Sequence, residues 1–387
     1  MEWRNTMVIT FVVDNCMDPK NGTSMTAYRF IEGLRARGHE VRTLTIGDVA
    51  PDNYFVEEAQ YGFISEIGHW HGFRFAKFDE KTVRRALEGS DIVHFLLPLP
   101  FEIRVYHLAR KMGIPCSAAF HMQPENASHI IHIDKVPKSG DAIYKLLYQM
   151  FYKNFRHIHC PSHFIAQEMK DHGYDAKLYV ISNGVDEHFR PTEVEKCTDP
   201  EKFNILMVGR LSPEKRQEVL IEAVQYSKYA DKIQIYLAGA GSQMRERHLR
   251  KLGEALSNPP IIEFYSQEDL VRLINSCDLY THTATVEIEA ISCLEALSCG
   301  LVPVICDAPK SATVQFALDE NSLFRADDPK DLAAKIDYWI EHPQEKALLG
   351  QRYAKFGDGF RVSESVKKAE FFFWETIRDH KKEKQYG

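Results

Sequence analysis

The chain has 387 residues, 44% of them hydrophobic and 27% charged, and a formal net charge of −7. That length exceeds what one hydrophobic core usually serves, so two domains are expected, and the acidic balance argues against a protein that coats nucleic acid. Eight cysteines are scattered without a CxxC pair, several inside apolar runs, which points to small core residues in a reducing compartment rather than disulfides or zinc ligands.

The first apolar run, residues 7–13, is too short for a membrane span or for a secretion signal with its cleavage site. A cytoplasmic location follows, with attachment to the inner face of the cell membrane left open. The run reads as a buried strand, followed by a loop, a helix over about 23–37 that Gly38 stops, and a strand at 41–46. The loop thus lies at a strand's carboxyl end, where open α/β sheets bind ligands. Gly22, before a threonine at the helix start, lets a ligand approach the backbone closely, although a capped helix without a ligand has the same pattern.

Further strands are expected at 92–97, 116–120, 158–160 and 178–181, alternating with helices, which predicts a mostly parallel sheet covered on both faces. His121 directly follows the apolar strand at 116–120, so it projects from the sheet's carboxyl edge. There it suits hydrogen bonding to a substrate; a structural histidine is the plainer reading. The pairs His69/His71, His129/His132 and His157/His159 have no matching carboxylate or cysteine pattern and read as incidental. Segments 73–85 and 143–156 interleave basic and aromatic residues. Basic amphipathic helices of this kind lie on anionic membranes, but core-facing helices look the same.

A turn at Asn183-Gly184 and a polar stretch at 191–202 suggest a domain boundary. A second α/β unit then opens with a strand at 204–208, the loop GRLSPEK and a helix at 217–226. Arg210 and Lys215 flank that strand's carboxyl end, where a guanidinium fork and an ammonium can clamp a diphosphate. The strand at 233–238 runs into Gly239-Ala240-Gly241, a GxG that lacks the third glycine of a dinucleotide fingerprint. Strands at 261–265, 279–281 and 302–306 complete a second sheet, and helices follow, the last near 369–380 with an aromatic block at 371–374 that must be buried.

The stretch THTATVEIEAISCLEALSCGLVP, residues 281–303, carries the densest chemistry. A polar loop leads into a short helix near 290–298, with Glu287 before it and Glu295 inside it. Helix N-terminal N–H groups favour an anion, and carboxylates accept sugar hydroxyls, which together outline a sugar-nucleotide site. No D-x-D triplet offers ligands for a metal-bound diphosphate, so Arg210 and Lys215 would neutralise the leaving group.

Taken together, NGTSMTAYRFIEGLRARGHEV, VISNGVD, VGRLSPEKRQEVLIEAV and EIEAISCLEALSCGLVPV resemble the motifs of glycosyltransferase family 4 over nearly the whole chain. The resemblance implies the GT-B fold, α/β with two facing Rossmann-like doubly wound domains and a cleft between them. The domains would be 1–190, on the acceptor side, and 191–365, on the donor side, with the C-terminal helix 366–387 packing back on the first. It further implies a retaining hexosyltransferase with no cofactor and no required metal. Arg210 and Lys215 would bind the donor diphosphate over Gly22, Glu295 the ribose, and Glu287 the sugar hydroxyls, with His121 beside the transferred sugar.

This sequence departs from the family pattern where Glu289 and Ala290 replace phenylalanine and glycine, and where FALDENSLF, residues 316–324, replaces a glycine-rich segment. AFHMQPEN and HIHCPS are similar to bacterial diacylglycerol glucosyltransferases. UDP-glucose as donor and a lipid such as diacylglycerol as acceptor are therefore the expected partners, with membrane attachment through 73–85 and 143–156. A soluble or polysaccharide acceptor, a sugar-nucleotide epimerase and a non-catalytic nucleotide-sugar-binding protein are the alternatives. A dehydrogenase fits worse, because the first βα loop has no G-x-G-x-x-G.

Overall fold

In the computed structural model, residues 6–16, 22–47, 52–62, 65–66, 74–122 and 139–386 are described. Two compact units result, one formed by Met1–Gly184 with Val362–Gly387 and the other by Val185–Arg361.

Unit 1 contains β1 (Val8–Asn15), β2 (Glu40–Ile46), β3 (Asn53–Val56), β4 (Ile92–Phe95), β5 (Cys116–Ala119), β6 (His157–Cys160) and β7 (Lys177–Val180). They form a parallel sheet in the order β3-β2-β1-β4-β5-β6-β7. Ile9, Val12 and Val13 are all fully buried although successive side chains face opposite ways, as expected of a parallel strand covered on both faces. The direction of winding reverses between β1 and β4, which opens a crevice at their carboxyl ends.

The last helix, Val362–Tyr386, returns to unit 1. Its Val366, Ala369, Phe372, Phe373 and Ile377 share a core with Ile9, Phe11, Phe30 and Leu34, which is where the predicted aromatic block is buried. Within the Gly22–Ala36 helix, a Cβ on Gly33 would come within 2.4 Å of Val366, so only glycine lets the two helices pack this closely. Polar contacts secure the same helix: Asp379 accepts from Lys177 at 2.6 Å and pairs with His157 at 3.1 Å.

The chain crosses between units at 184/185 and 361/362 rather than at the expected 190/191 and 365/366. Val185 N–H donates to the Phe360 carbonyl at 2.7 Å, and the Arg361 guanidinium donates to the Phe189 carbonyl at 2.6 Å. Both ends of unit 2 are thereby tied to each other. Nor is 191–202 a loose linker. Thr192 N–H donates to Asn275 Oδ1 at 3.0 Å and Cys197 N–H to Ser276 Oγ at 3.2 Å, which fastens the stretch to unit 2.

Unit 2 contains β8 (Phe203–Val208), β9 (Ile233–Ala238), β10 (Ile261–Glu263), β11 (Leu279–His282), β12 (Val286–Glu287), β13 (Pro303–Asp307), β14 (Lys310–Ser311) and β15 (Leu323–Arg325). Six of them form a parallel sheet, β10-β9-β8-β11-β13-β15, and β12 pairs with β14 separately. Its winding reverses between β8 and β11. Strand β15 lies partly within the segment 316–324 and pairs with β13, so this departure from the family pattern ends in a sheet strand.

Of the two basic aromatic segments, the first departs from the helix expected of it, whereas the second is largely helical, over Ser139–Met150. Phe73 lies outside the described residues. Residues 74–77 run beside 57–59, with Ala59 N–H to Phe75 O at 2.7 Å and Lys77 N–H to Glu57 O at 2.8 Å, and the helix is confined to Glu80–Leu87. Arg74 meets Glu58, Lys77 meets Glu57 and Arg84 meets Glu80, so these cations are partnered within the chain. In the second segment Tyr144, Phe151, Tyr152 and Phe155 are buried, whereas Leu146 and Met150 of the Ser139–Met150 helix are 54% and 52% exposed. The readings of His69, His71, His129 and His132 lie outside the described residues; His157 and His159 are buried. All eight cysteines are free thiols, six of them buried, and Cys197, in the polar stretch 191–202, is exposed. Among the described residues no helix is long and apolar enough to cross a membrane.

Candidate functional site

In unit 2 two of the residues singled out in sequence, Lys215 and Glu287, converge where the winding reverses. Gly209 follows β8 at φ +155°, and the Lys215 stem packs over it, 3.6 Å from where a Cβ would stand. The loop between them is braced twice. Leu211 N–H donates to Ala240 O at 2.9 Å, and Gly209 N–H to Ala238 O at 3.0 Å. A Cβ on Gly239 would come within 1.9 Å of the Gly209 carbonyl. The GxG at 239–241 therefore serves the close approach of two loops.

Thr283, just past β11, donates its hydroxyl to the Lys215 carbonyl at 2.7 Å and so fixes the lysine's backbone against the next strand. The Lys215 ammonium forms an ion pair with Glu287 Oε1. His282 Nε2 reaches the same oxygen at 3.1 Å, and Tyr280 O–H lies 3.2 Å from His282 Nδ1 and 3.4 Å from Ser292 Oγ. Glu287 sits on β12, in register with Ser311, rather than in a free loop. Burial pushes its carboxyl up, but Lys215 and then His282 outweigh that and hold it at about 2. The site thus keeps an ionised carboxylate that is 8% exposed.

Beyond Glu287 the chain turns at Ala290, which has φ +63° and ψ 72° and begins the Ile291–Ser298 helix. This is the left-handed region that glycine enters without cost, so Ala290 carries strain where the family pattern has glycine. Glu295 lies within the helix and is 8% exposed. The helix N-terminus between the two glutamates leaves backbone N–H groups for an anion.

Arg210 is not drawn into this cluster. Its side chain is 68% exposed and faces Glu214 at 3.4 Å, while its carbonyl accepts from Gln217 Nε2 at 2.7 Å. Three contributors were missed in the sequence: His282, Thr283 and Arg245, whose guanidinium pairs with Glu218 and donates to Ser212 O at 3.3 Å. The only advance signal was position, since His282 and Thr283 stand at a strand's carboxyl edge five and four residues before Glu287.

In unit 1, the described backbone of Gly22 opens the first helix. His121 follows β5 and is 7% exposed, with its ring edge-on to His159 at 5.2 Å between centroids. Its Nε2 is buried without a hydrogen-bond partner among the described residues. Burial, reinforced by His159, pulls its basicity well below the usual imidazole value. A neutral imidazole offers a ligand one donor and one acceptor.

At the winding reversal of unit 1, Asp14 near the end of β1 faces Glu102 in the first turn of the Pro100–Lys111 helix. They are 2% and 0% exposed. Burial pushes Asp14 up to about 6, partly offset by Glu102 and by the Ala76 N–H that it accepts. Glu102 is driven well above the carboxylate range by burial and then by the neighbouring Asp14 charge.

Comparisons with known proteins agree with this layout. The family model described as Glycosyltransferase Family 4 matches residues 20–189, and the model of glycosyl transferases group 1 matches 190–356. A GDP-mannose-dependent alpha-mannosyltransferase of Corynebacterium glutamicum is 26% identical over 331 residues, 79% of this chain and 73% of that protein. The catalytic domain of a cholesterol-alpha-glucosyltransferase from Helicobacter pylori is 46% identical, covering 41% of this chain and 99% of that one, with a TM-score of 0.37. Anabaena HepE, solved with UDP-glucose, has a TM-score of 0.71 at 18% identity and covers 96% of this chain and 100% of its own. Two parallel Rossmann-like sheets, a lysine and glutamate joined at the second one's winding reversal, and two consecutive family matches place this chain in glycosyltransferase family 4, with the GT-B fold.

Proposed function

We propose that this glycosyltransferase moves a hexose from a nucleoside-diphosphate sugar, UDP-glucose first among donors, to a lipid hydroxyl such as that of diacylglycerol, with retention at the anomeric carbon. The single observation that carries the donor assignment is the Lys215–Glu287 pair at the carboxyl edge of β8 and β11, the place where a doubly wound sheet receives its ligand. In this reading Lys215, aided by Arg210, meets the diphosphate, and Gly22 lets it approach the backbone of the first helix. Glu287 accepts sugar hydroxyls, Glu295 the ribose hydroxyls, and neutral His121 hydrogen-bonds the transferred sugar.

The acceptor oxygen bonds to the anomeric carbon on the face the diphosphate leaves. The carbon–oxygen bond to phosphate breaks, its electron pair stays on the diphosphate, and a phosphate oxygen takes the acceptor's proton. Positive charge from Lys215 stabilises the leaving group, a fixed electrostatic contribution that grows as charge develops.

Support for a lipid acceptor comes from the Ser139–Met150 helix. Ala142, Leu146 and Met150 recur at four-residue spacing and so share one face, with Lys145 and Lys153 close by in sequence. Leu146 and Met150 are exposed, which suits contact with an anionic bilayer at the inner face of a cell membrane. A second reading, GDP-mannose as donor, is favoured by the Corynebacterium relative.

The test is a turnover screen of the purified protein with UDP- and GDP-sugars, with and without diacylglycerol liposomes, scoring free nucleotide and glycolipid. Glycolipid from UDP-glucose is the expected result, and product from GDP-mannose alone would replace the donor. Slow donor hydrolysis unaffected by lipid would overturn the lipid acceptor, and failure to bind any nucleotide sugar would overturn the function.

A further inference from the structure

Glu287 is held from two sides, and the two holders have different fates when a donor arrives. Lys215 and His282 both converge on Oε1. Lys215 comes from the loop after β8 and is the cation placed to meet a diphosphate. Once it turns its donors toward phosphate, Glu287 loses part of the charge that stabilises it in a site where it is only 8% exposed. His282 has no such second duty. It is fully buried on β11, and its other nitrogen is engaged by Tyr280.

We infer that His282 is a positioning and specificity-determining residue of the transfer reaction: it holds Glu287 in place when the donor diphosphate draws Lys215 away. This inference rests on the proposed nucleotide-sugar chemistry. The hydrogen-bond directions support it. An ionised Glu287 only accepts, so His282 Nε2 carries the proton and donates. The Tyr280 hydroxyl lies 3.2 Å from His282 Nδ1 and donates to Ser292 Oγ at 3.4 Å. Ser292 is the second residue of the Ile291–Ser298 helix, whose N-terminus faces the anion position. The chain Ser292, Tyr280, His282, Glu287 therefore joins the phosphate end of the site to its sugar end through hydrogen bonds.

The arrangement also sets how Glu287 reads a sugar. With Oε1 committed to His282, the carboxylate plane is fixed and Oε2 is the edge presented to the donor. A carboxylate held in this way discriminates the orientation of a sugar hydroxyl. One free to rotate can follow either epimer.

The experiment compares His282→Leu and His282→Gln with the unaltered protein. Three quantities are measured: the affinity for the nucleoside diphosphate alone, kcat and KM for the nucleotide sugar that is turned over, and the kcat/KM ratio between that donor and its C4 epimer. Removing a hydrogen bond to a charged group costs on the order of tenfold. His282→Leu is expected to lower kcat about tenfold and to narrow the epimer ratio, with nucleoside diphosphate affinity within about twofold of the parent. His282→Gln, whose amide N–H can donate to Oε1, should recover most of both. A pH profile adds a separate readout. Lys215 from the loop, His282 and Tyr280 from β11, and Cys293 from the Ile291–Ser298 helix are titratable groups that interact with Glu287, and Glu295 of the same helix acts on Tyr280. The acid limb of kcat should move to higher pH in His282→Leu.

Unchanged kcat and epimer ratio in His282→Leu would overturn the inference. So would loss of nucleoside diphosphate binding in both variants, because His282 would then support the fold of the whole site. An unaltered protein that binds nucleoside diphosphate but turns over no nucleotide sugar would instead reject the proposed function.

Discussion

The two sheets wind alike yet treat a buried acid at the point of reversal in opposite ways. In unit 2, Glu287 faces a lysine and a histidine and remains ionised, its carboxyl held at about 2. In unit 1, Asp14 and Glu102 face each other, and none of the groups acting on them among the described residues is a cation. Desolvation then prevails, and the pair retains protons at a pH where an exposed carboxyl has lost them. The lesson is that sheet topology places a crevice, while the side chains that converge there decide its charge. One crevice holds a charged pair. The other stores a proton.

The largest test of that contrast is Lys215→Ala. It strands Glu287 with only His282, and breaking a mostly buried pair should cost unit 2 about 3 kcal/mol in denaturant unfolding. UDP affinity, read by calorimetry, should fall more than about tenfold with the loss of a charge-assisted contact. Arg210→Ala, at an exposed site, should shift stability by less than about 0.5 kcal/mol while still weakening UDP. Equal stability of the two variants would mean that Lys215 is no anchor for Glu287.

Next in size is an opposite pH response in the two units. Asp14 has a folded value raised from 3.8 to about 6, so its favourable contribution is complete below 3.8 and is lost as pH rises through about 6. Glu287 is lowered from 4.5 to about 2, so its contribution is present above 4.5 and is lost as pH falls through about 2. Hydrogen exchange, corrected for intrinsic rates, should show the β1 and β4 amides losing protection between about pH 4 and 7. The β8 and β11 amides should lose it between about pH 4 and 2. Asp14→Asn, which keeps an acceptor for Ala76 N–H, should flatten the first trend and gain about 1–3 kcal/mol at about pH 8. A parallel pH response in both units would reject the contrast.

The smallest expected effect is at Ala290. Glycine there should relieve left-handed strain, offset in part by greater freedom of the unfolded chain, for a net gain of at most about 1 kcal/mol. A loss of stability in Ala290→Gly would show that the alanine methyl contributes packing that outweighs the strain.

Long apolar strands and their flanking helices were legible in the sequence because burial on both faces leaves continuous runs, as at β1, β8 and β9. Four of the short strands were not. β3 reads NYFV, β15 reads LFR, and β12 and β14 have two residues each, so propensity has too little chain to act on and pairing is decided by neighbours. The pairing of Lys215 with Glu287 joins residues 72 positions apart and was not legible, since the family motifs assign the two residues to different parts of the donor. His282 carried no motif, and Arg210 looked equivalent to Lys215 although its side chain turns outward to Glu214. Segment 73–85 misled because residues 74–77 extend along 57–59, an association that helical periodicity does not register.

The return of the Val362–Tyr386 helix to unit 1 bears on how the chain is made. Unit 2 is a continuous stretch, so its whole sheet is synthesised before the helix that completes unit 1. Until then, the face of unit 1 around Phe11, Phe30 and Ile9 lacks Phe372, Phe373 and Ile377 as cover. Unit 1 begins first and finishes last. A chain truncated before Val362 would contain all of unit 2 and leave on unit 1 an uncovered apolar surface suited to chaperone binding.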